Sequence, residues 1–250
     1  MAASTPKTIV LITGANQGIG LATARKLASV PDYHIIIGSR NPANGTEAAK
    51  SISSDNQSAD VSSVQLDITS DASIAAAIQT ITSTHGRLDV LINNGAVLLD
   101  LDTTVPGRST RELFTQTFNT NVVGTACLTE ACLPLLRKST RPKVIFVSSR
   151  MGSLHQALQE DYQFYNWDIK AYDSSKAAVN MLALNYKRVL ADKGGLVNAV
   201  CPGLTSTTMN GMHPDGAPPE VGAQRIVELA TDREGIVNGT FSDKDGIIPW

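Results

Sequence analysis

The stretch Thr13-Gly14-Ala15-Asn16-Gln17-Gly18-Ile19-Gly20 decides the fold predicted for this chain. It follows the apolar run 8–12, which is rich in β-branched residues and short enough to be a buried strand. Apolar residues then recur at helical spacing over 19–28. Glycines at such a turn permit unusual backbone angles and close approach of a ligand, and the helix N-terminus favours a phosphate. The stretch therefore predicts a cradle for the pyrophosphate of a dinucleotide.

The glycine spacing leaves a second interpretation open. It is Gly-x-x-x-Gly-x-Gly rather than the commoner Gly-x-Gly-x-x-Gly, and a glycine-rich turn is often only a turn. No Lys-Ser or Lys-Thr pair follows Gly20, which argues against a nucleoside-triphosphate P-loop.

The bulk composition is that of an ordinary globular protein, with 42% hydrophobic and 18% charged residues among 250. The formal net charge of -2 creates no field that would attract nucleic acid or an anionic membrane. No apolar run approaches the roughly 20 residues that cross a bilayer, and residues 1–7 lack the apolar core of a secretory signal. Cys127, Cys132 and Cys201 show no paired spacing, which favours reduced thiols over a disulfide or a metal site. We expect a soluble, cytoplasmic protein with no metal, nucleic acid or membrane partner.

Strand and helix patterns alternate along the whole chain. The strands are predicted at 8–12, 33–38, 61–66, 88–92, 144–147, 196–200 and 238–241. The helices are predicted at 19–28, 42–54, 71–84, 109–138, 172–191 and 220–230. Such alternation indicates an α/β fold with a single Rossmann-type, doubly wound parallel sheet of about seven strands and helices on both faces. Because nothing resembles a linker or repeat, 1–250 is expected to form one dinucleotide-binding and catalytic domain.

The end of the second strand bears on the choice of dinucleotide. A carboxylate there would bind both ribose hydroxyls of NAD, whereas an arginine pairs with the 2′-phosphate of NADP. The residues at this place are Ser39 and Arg40, which favours NADP(H), although Arg40 could be a solvated loop residue. Asp67, just past the third strand, could accept the adenine amino group or cap the next helix.

Tyr172 and Lys176 form the first candidate for chemistry, because residues at i and i+4 share one helix face. A tyrosine in water ionises near pH 10, and an ammonium beside it, helped by a nicotinamide cation, would lower that pKa. Such a phenol could protonate a carbonyl oxygen while the carbon receives a hydride. A Tyr–Lys surface pair is the alternative. Asn121, inside the longest predicted helix, either bends that helix or faces solvent.

Taken in order, these motifs resemble the short-chain dehydrogenase/reductase family over nearly the full chain. The matching residues are Thr13-Gly14-x-x-x-Gly18-x-Gly20, Asp67, Asn93-Asn94, Asn121 with Gly124, Ser149 with Gly152, Tyr172-x-x-x-Lys176, Pro202-Gly203, and Thr207 before Met209.

The resemblance implies a role for each matching residue. Tyr172 would be the general acid/base, Lys176 would bind the nicotinamide ribose and lower the pKa of Tyr172, Ser149 would hold the substrate oxygen, and Asn121 would anchor a water in the proton relay. The implied cofactor NADP(H) would be bound by Gly14, Asn16, Gln17, Gly18, Ile19, Gly20, Ser39, Arg40, Asp67, Ile68, Asn94, Gly95, Ala96, Tyr172, Lys176, Pro202, Gly203, Thr205 and Thr207.

Two departures from the family pattern are visible. The family usually reads Asn-Asn-Ala-Gly where this chain has Asn93-Asn94-Gly95-Ala96, so the backbone angles of that turn could differ. The interval from Ser149 to Tyr172 is also longer than usual, which places a substrate-side insertion around 150–171. With Ser39-Arg40 and the terminal Pro249-Trp250, this insertion is similar to the NADP-dependent carbonyl-reductase-like branch. That branch tends to be monomeric, which favours a monomer or homodimer over a tetramer.

We expect an NADPH-dependent reductase that transfers hydride to a ketone or aldehyde of a hydrophobic small molecule or secondary-metabolite intermediate. The mostly apolar substrate-side candidates are Met151, Trp167, Leu204, Met209 and Met212, the last three within a C-terminal substrate loop around 204–220. Imine reduction or cyclisation on the same fold remains an alternative, because the same residues serve any proton-coupled hydride transfer. A third possibility is a sensor that binds NADP(H) without turnover, which would be expected to have lost part of the Tyr/Lys/Ser set.

Overall fold

A computed structural model describes residues 7–250 of the chain. The expectation of no secretory core in 1–7 concerns a stretch that, apart from Lys7, lies outside the described residues. The strands are β1 (Thr8–Thr13), β2 (Tyr33–Ser39), β3 (Val61–Gln65), β4 (Val90–Asn93), β5 (Lys143–Val147), β6 (Leu196–Val200), β7 (Phe241–Asp243) and β8 (Gly246–Ile247). The helices are α1 (Gly18–Ala28), α2 (Pro42–Asp55), α3 (Asp71–His85), α4 (Thr110–Phe118), α5 (Thr125–Leu136), α6 (Leu154–Ala157), α7 (Lys170–Val189), α8 (Pro219–Gly222) and α9 (Gln224–Thr231).

The eight strands of residues 7–250 belong to one sheet, in the order β3-β2-β1-β4-β5-β6-β7-β8. Neighbours from β3 to β7 are parallel, and β8 runs antiparallel to its neighbour β7. In register, Ile12 pairs with Ile37 on one side and Ile92 on the other. The predicted Rossmann-type sheet with helices on both faces is therefore confirmed.

Each face of the sheet is covered by its own hydrophobic core. Leu11 points into the core that includes α3, α5 and α7 residues, while its neighbours Val10 and Ile12 point into the core built with α1, α2 and α9. All three side chains are fully buried. A strand buried on both faces needs an unbroken apolar run, which is the pattern that 8–12 shows.

Two predicted elements differ from the observed ones near the C-terminus. The last parallel strand covers Phe241–Asp243 rather than 238–241, because the Asn238 side chain bonds Val197 N (3.0 Å) and Gly195 O (3.2 Å) and holds a turn there. The predicted helix 220–230 is split into α8 and α9 at Gly222, where a Cβ atom would lie 2.8 Å from Thr205 Oγ1.

The long predicted helix 109–138 is helical from Thr110 to Leu136 but contains a π-helical turn over Asn119–Gly124. Of the two alternatives for Asn121, the distorted helix is the one observed, since Asn121 lies in the π turn and is only 1% exposed. Within 7–250, no helix is long and apolar enough to cross a membrane.

Candidate active site

A groove with two adjoining parts crosses the carboxyl ends of the parallel strands. The part lined by Gly14, Gly18 and Gly20, here called the glycine pocket, has a volume of about 320 Å³. The part lined by Ser149 and Tyr172, here called the tyrosine pocket, has a volume of about 380 Å³. Ile19, Thr207 and Met209 line both, so the two pockets share a border.

Most residues predicted to bind the cofactor line one of these two pockets. In the glycine pocket they are Gly14, Asn16, Gln17, Gly18, Ile19, Gly20, Ser39, Arg40, Asp67, Ile68, Asn94, Gly95, Ala96 and Thr207. In the tyrosine pocket they are Tyr172, Pro202, Gly203, Thr205 and Thr207. Lys176 lines neither pocket and is 3% exposed. Their individual roles toward a cofactor stay predictions.

The turn after β1 needs glycine for two separate reasons. Gly14 has a φ of 60°, in the left-handed region that side chains rarely adopt. A Cβ atom on Gly20 would lie 2.6 Å from both Asn94 Nδ2 and the Gly14 carbonyl oxygen. The N-cap residue of α1, Gln17, provides no side-chain cap, so the first-turn N–H groups of α1 are available to an anion. This backbone cradle fits a dinucleotide pyrophosphate.

Gly95, where the family usually has alanine, packs against the turn after β1. Thr13 Oγ1 accepts hydrogen bonds from Asn94 N (2.9 Å) and Gly95 N (2.7 Å), which draws this turn against β1. A Cβ atom on Gly95 would lie 3.2 Å from Thr13 Oγ1, and one on Gly14 would lie 3.1 Å from Gly95 Cα. Glycine at 95 therefore permits close backbone packing between the two turns.

Arg40, directly after β2, places a positive charge in the lining of the glycine pocket. Arg40 is exposed, whereas Ser39 is buried and its hydroxyl donates to Asn41 O (2.9 Å). Burial raises the pKa of Asp67, but hydrogen bonds from Thr69 and the charge of Arg40 outweigh it and hold that pKa below its ordinary value. Arg40 thus faces the pocket beside an ionised carboxylate, with α2 starting next to it.

Tyr172 and Ser149 lie together on the wall of the tyrosine pocket. The Ser149 side chain is within hydrogen-bonding reach of the Tyr172 hydroxyl. Burial raises the pKa of Tyr172, Cys201 and Asp173 raise it further, and the bond with Ser149 only partly opposes them. Burial is thus the largest influence on this pKa, and the lowering expected from Lys176 together with a bound nicotinamide cation stays a prediction.

Lys176 is held at a backbone carbonyl beside Tyr172. Its ammonium donates to the carbonyl of Val147 at the end of β5 (2.8 Å), and it lies 5.4 Å from the centre of the Tyr172 ring. The ammonium therefore sits beneath the ring and not at the hydroxyl. Burial lowers the pKa of Lys176 to about 8, so it is still mostly charged at neutral pH.

Asn121 connects the π turn to the helix that carries Tyr172. Its Oδ1 accepts from Val97 N (2.8 Å), and its Nδ2 donates to Val97 O (2.9 Å) and to Ser175 Oγ (3.0 Å). All of these contacts are within the protein, so the side chain of Asn121 holds the segment after β4. The water relay through Asn121 stays a prediction.

The predicted substrate-side residues Met151, Trp167, Leu204 and Met209 all line the tyrosine pocket. Met212 does not line it and is 59% exposed. The insertion and the C-terminal loop meet at the pocket, since the rings of Trp167 and His213 lie 5.8 Å apart between centroids.

The tyrosine pocket also has a polar wall, which was not predicted from the sequence. Arg150, next to Ser149, forms an ion pair with Asp243 at the end of β7, with Nε donating at 2.9 Å. Lys244 and Asp245 complete this wall and pair with each other (2.6 Å). Asp100 was also missed, although it contacts the N-terminus of α7. No local pattern marks Arg150 and Asp100, because their contacts join distant parts of the chain.

Comparisons with known proteins agree with this geometry. The short chain dehydrogenase family model matches residues 8–216. The chain is 36% identical over 234 residues to the short-chain dehydrogenase anuI of Penicillium roqueforti, covering 92% of this chain and 91% of that protein. It is 30% identical over 280 residues to carbonyl reductase [NADPH] 1 of Sus scrofa, covering 97% and 94%. The crystal structure of NADPH-bound carbonyl reductase from chicken fatty liver superposes with a TM-score of 0.82 at 25% identity, covering 98% and 100%.

The chain belongs to the short-chain dehydrogenase family. It is accordingly an oxidoreductase acting on CH–OH or C=O groups.

Proposed function

We propose that this protein is an NADPH-dependent reductase that converts a ketone or aldehyde of a hydrophobic small molecule into an alcohol, with Tyr172 as the proton donor. The observation that carries the proposal is the shared border of the two pockets. A dinucleotide held by the glycine pocket would extend past Ile19 and Thr207 toward Tyr172 and Ser149.

The residues of the glycine pocket support NADPH as the cofactor. The backbone cradle at Gly14 to Gly20 fits a pyrophosphate, and Arg40 provides a guanidinium where NAD-specific sites need a carboxylate. Two relatives support the same choice, since carbonyl reductase [NADPH] 1 and the chicken liver enzyme are described as NADPH proteins. When bound, NADPH supplies the hydride that adds to the carbonyl carbon.

The charges around Tyr172 suit a proton donor. A raised pKa keeps the phenol protonated at neutral pH, which is the form a reductase needs before the reaction. Ser149, within hydrogen-bonding reach of this hydroxyl, would orient the carbonyl oxygen. Once the proton has moved, the ammonium of Lys176, one helical turn further along α7, would stabilise the phenolate.

The walls of the tyrosine pocket support an apolar substrate. Leu98, Met151, Phe164, Trp167, Leu204 and Met209 contribute apolar or aromatic surface, and about 380 Å³ is within the range of small-molecule sites. The polar wall is internally paired, Arg150 with Asp243 and Lys244 with Asp245, and so adds no net charge.

The proposal is tested by following NADPH oxidation with a panel of aromatic and aliphatic ketones and aldehydes, each repeated with NADH. We expect turnover with NADPH and hydrophobic carbonyl compounds, and product analysis should show the corresponding alcohols. NADPH binding without turnover on any carbonyl would contradict the proposal, and imine or cyclised products would change the reaction assigned to it.

We also propose a single domain that forms a monomer or a homodimer. All eight strands of residues 7–250 form one sheet, which supports one domain. The inserted segment packs against the chain's own C-terminus, where His155 N donates to Trp250 O (3.1 Å) and Ser153 Oγ to Pro249 O (2.6 Å). Light scattering after gel filtration would measure the mass, and a tetramer would contradict this assignment.

A further inference from the structure

The first turn of α7, which carries Tyr172, is held by a residue outside that helix. The first N–H groups of a helix have no partner within it, and the N-cap residue Ile169 provides no side-chain acceptor. Asp100, in the segment between β4 and α4, supplies the acceptors for two of these N–H groups. Its carboxylate oxygens accept from Ala171 N (2.9 Å) and from Tyr172 N (3.1 Å).

The carbonyl group of Tyr172 is tied to the same segment by a second route. Ser175 Oγ donates to the Tyr172 carbonyl (2.7 Å) and accepts from Asn121 Nδ2 (3.0 Å). Asn121 in turn bonds both backbone groups of Val97, three residues before Asp100. The peptide groups on both sides of Tyr172 are therefore connected to 97–100.

The negative charge of Asp100 also affects the residue after Tyr172. Burial and the charge of Asp100 raise the pKa of Asp173 to about 7, and Asp173 Oδ1 is buried with no hydrogen-bond partner among residues 7–250. The fold thus keeps two carboxyl groups close together at the start of α7 despite their repulsion. The two N–H bonds and the helix dipole stabilise the Asp100 carboxylate at this place.

We propose that Asp100 is a positioning residue for the reaction: by binding the first turn of α7 it fixes the backbone of Tyr172 and thereby the place of the phenol relative to Ser149. This inference rests on the proposed function, because it requires Tyr172 to be the proton donor. Asp100 lines neither pocket, so its effect on the reaction would be exerted through the backbone at the start of α7.

The test compares Asp100→Asn, which keeps one acceptor oxygen, with Asp100→Ala, which keeps none. We expect kcat to fall about tenfold in the first and up to about a hundredfold in the second, since a misplacement of about 1 Å has costs of that size. NADPH affinity, measured by fluorescence titration, should not change, because Asp100 does not line the glycine pocket. Amide hydrogen exchange of the peptide covering 170–176 should be faster in Asp100→Asn than in the wild type, and fastest in Asp100→Ala.

Ser109→Ala is the matched control. Ser109 caps α4 by accepting from Glu112 N (3.3 Å), so the variant loses a helix cap of the same kind without touching α7. Its kcat should equal that of the wild type. If Asp100→Ala does not fold, the kcat and the hydrogen exchange of Asp100→Asn test the proposal on their own.

Three results separate the possible failures. Unchanged kcat in both Asp100 variants of an active enzyme would overturn the inference, as would an equal loss in Ser109→Ala. Wild-type protein that reduces no carbonyl compound would overturn the proposed function instead. In that event, faster exchange in Asp100→Asn would still support Asp100 as the residue that holds the Tyr172 backbone.

Discussion

The glycine pocket and the tyrosine pocket are constructed in different ways. The glycine pocket is lined mainly by the turns that directly follow β1 to β4, with Thr207 to Met209 closing one side, and its glycine turn brings backbone atoms to the surface of the pocket. The tyrosine pocket combines residues after β5 with the inserted segment, the loop after β6 and the end of β7. Its walls are side chains. A turn with fixed backbone requirements leaves a signature in the sequence, whereas a wall assembled from distant side chains does not.

The largest expected effect comes from removing the Tyr172 hydroxyl group from the tyrosine pocket. In Tyr172→Phe, kcat for carbonyl reduction should fall by about 10² to 10⁴, the usual contribution of a positioned proton donor. NADPH affinity should stay the same, because the glycine pocket is unaltered. Stopped-flow turnover and fluorescence titration measure the two quantities separately.

Tyr165→Phe is the control for this change, since Tyr165 is 46% exposed and lines neither pocket. It should behave as the wild type. A Tyr172→Phe variant as active as its parent would end the proposed mechanism.

A substitution in the turn after β1 should instead damage the glycine pocket. In Gly20→Ala the new Cβ atom would lie 2.6 Å from Asn94 Nδ2 and from the Gly14 carbonyl, so the turn has to open. We expect a loss of about 1–3 kcal/mol in unfolding free energy and at least about tenfold weaker NADPH binding. Chemical denaturation and titration measure the two effects.

Gly86→Ala controls for backbone strain alone. Gly86 has a φ of 73° and no atoms around a built Cβ, so the variant should lose about 1–2 kcal/mol of stability. Its NADPH affinity should remain that of the wild type. Normal affinity in Gly20→Ala would mean that the close backbone approach is not required for binding.

A smaller effect is expected from the positive charge at the end of β2. Arg40→Ala should weaken NADPH binding about 10- to 100-fold, the value of one charge-assisted hydrogen bond. NADH binding should change little, because NADH lacks the 2′-phosphate. Arg111→Ala, which removes an exposed arginine on α4, controls for net charge. Equal weakening of both dinucleotides would show that Arg40 does not select the 2′-phosphate.

The smallest effect is expected at Asp173, beside the proton donor. Its folded pKa of about 7 lies above the ordinary value of 3.8, so ionisation is penalised in the folded state. The stability associated with its neutral form is present below pH 3.8 and is lost as the pH rises toward 7. Asp173→Asn should therefore match the wild type near pH 4 and be about 1 kcal/mol more stable at pH 8. Melting temperatures across this range measure the difference, and parallel curves would contradict it.

Much of the fold could be predicted from the sequence. The apolar run before Gly14 requires burial on both faces, and the glycines after it require a tight turn into a helix, so β1 and α1 follow from local properties. The π turn at Asn121 was anticipated only as a bend. The shift of β7 to Phe241–Asp243 was missed, because it depends on the contacts of Asn238 with Val197 and Gly195.

The candidate site, like the fold, could be predicted from the sequence only in part. The order of the motifs placed Ser149 and Tyr172 in one catalytic set, and the structure brings both to the same pocket. The direction of the Tyr172 pKa shift could not be predicted, because it depends on how deeply the phenol is buried and where the Lys176 ammonium bonds.

The sequence by itself determined the strand-helix alternation, the glycine cradle and the spacing of Tyr172 and Lys176 on one helix face. These features depend on backbone geometry and on residues a few positions apart. Only the tertiary structure decided that Asp100 caps the helix of Tyr172, that Arg150 pairs with Asp243, and that burial raises the pKa of the phenol. Each of these depends on the distance between residues far apart in the chain, or on the water excluded around them, and neither quantity is encoded in local spacing.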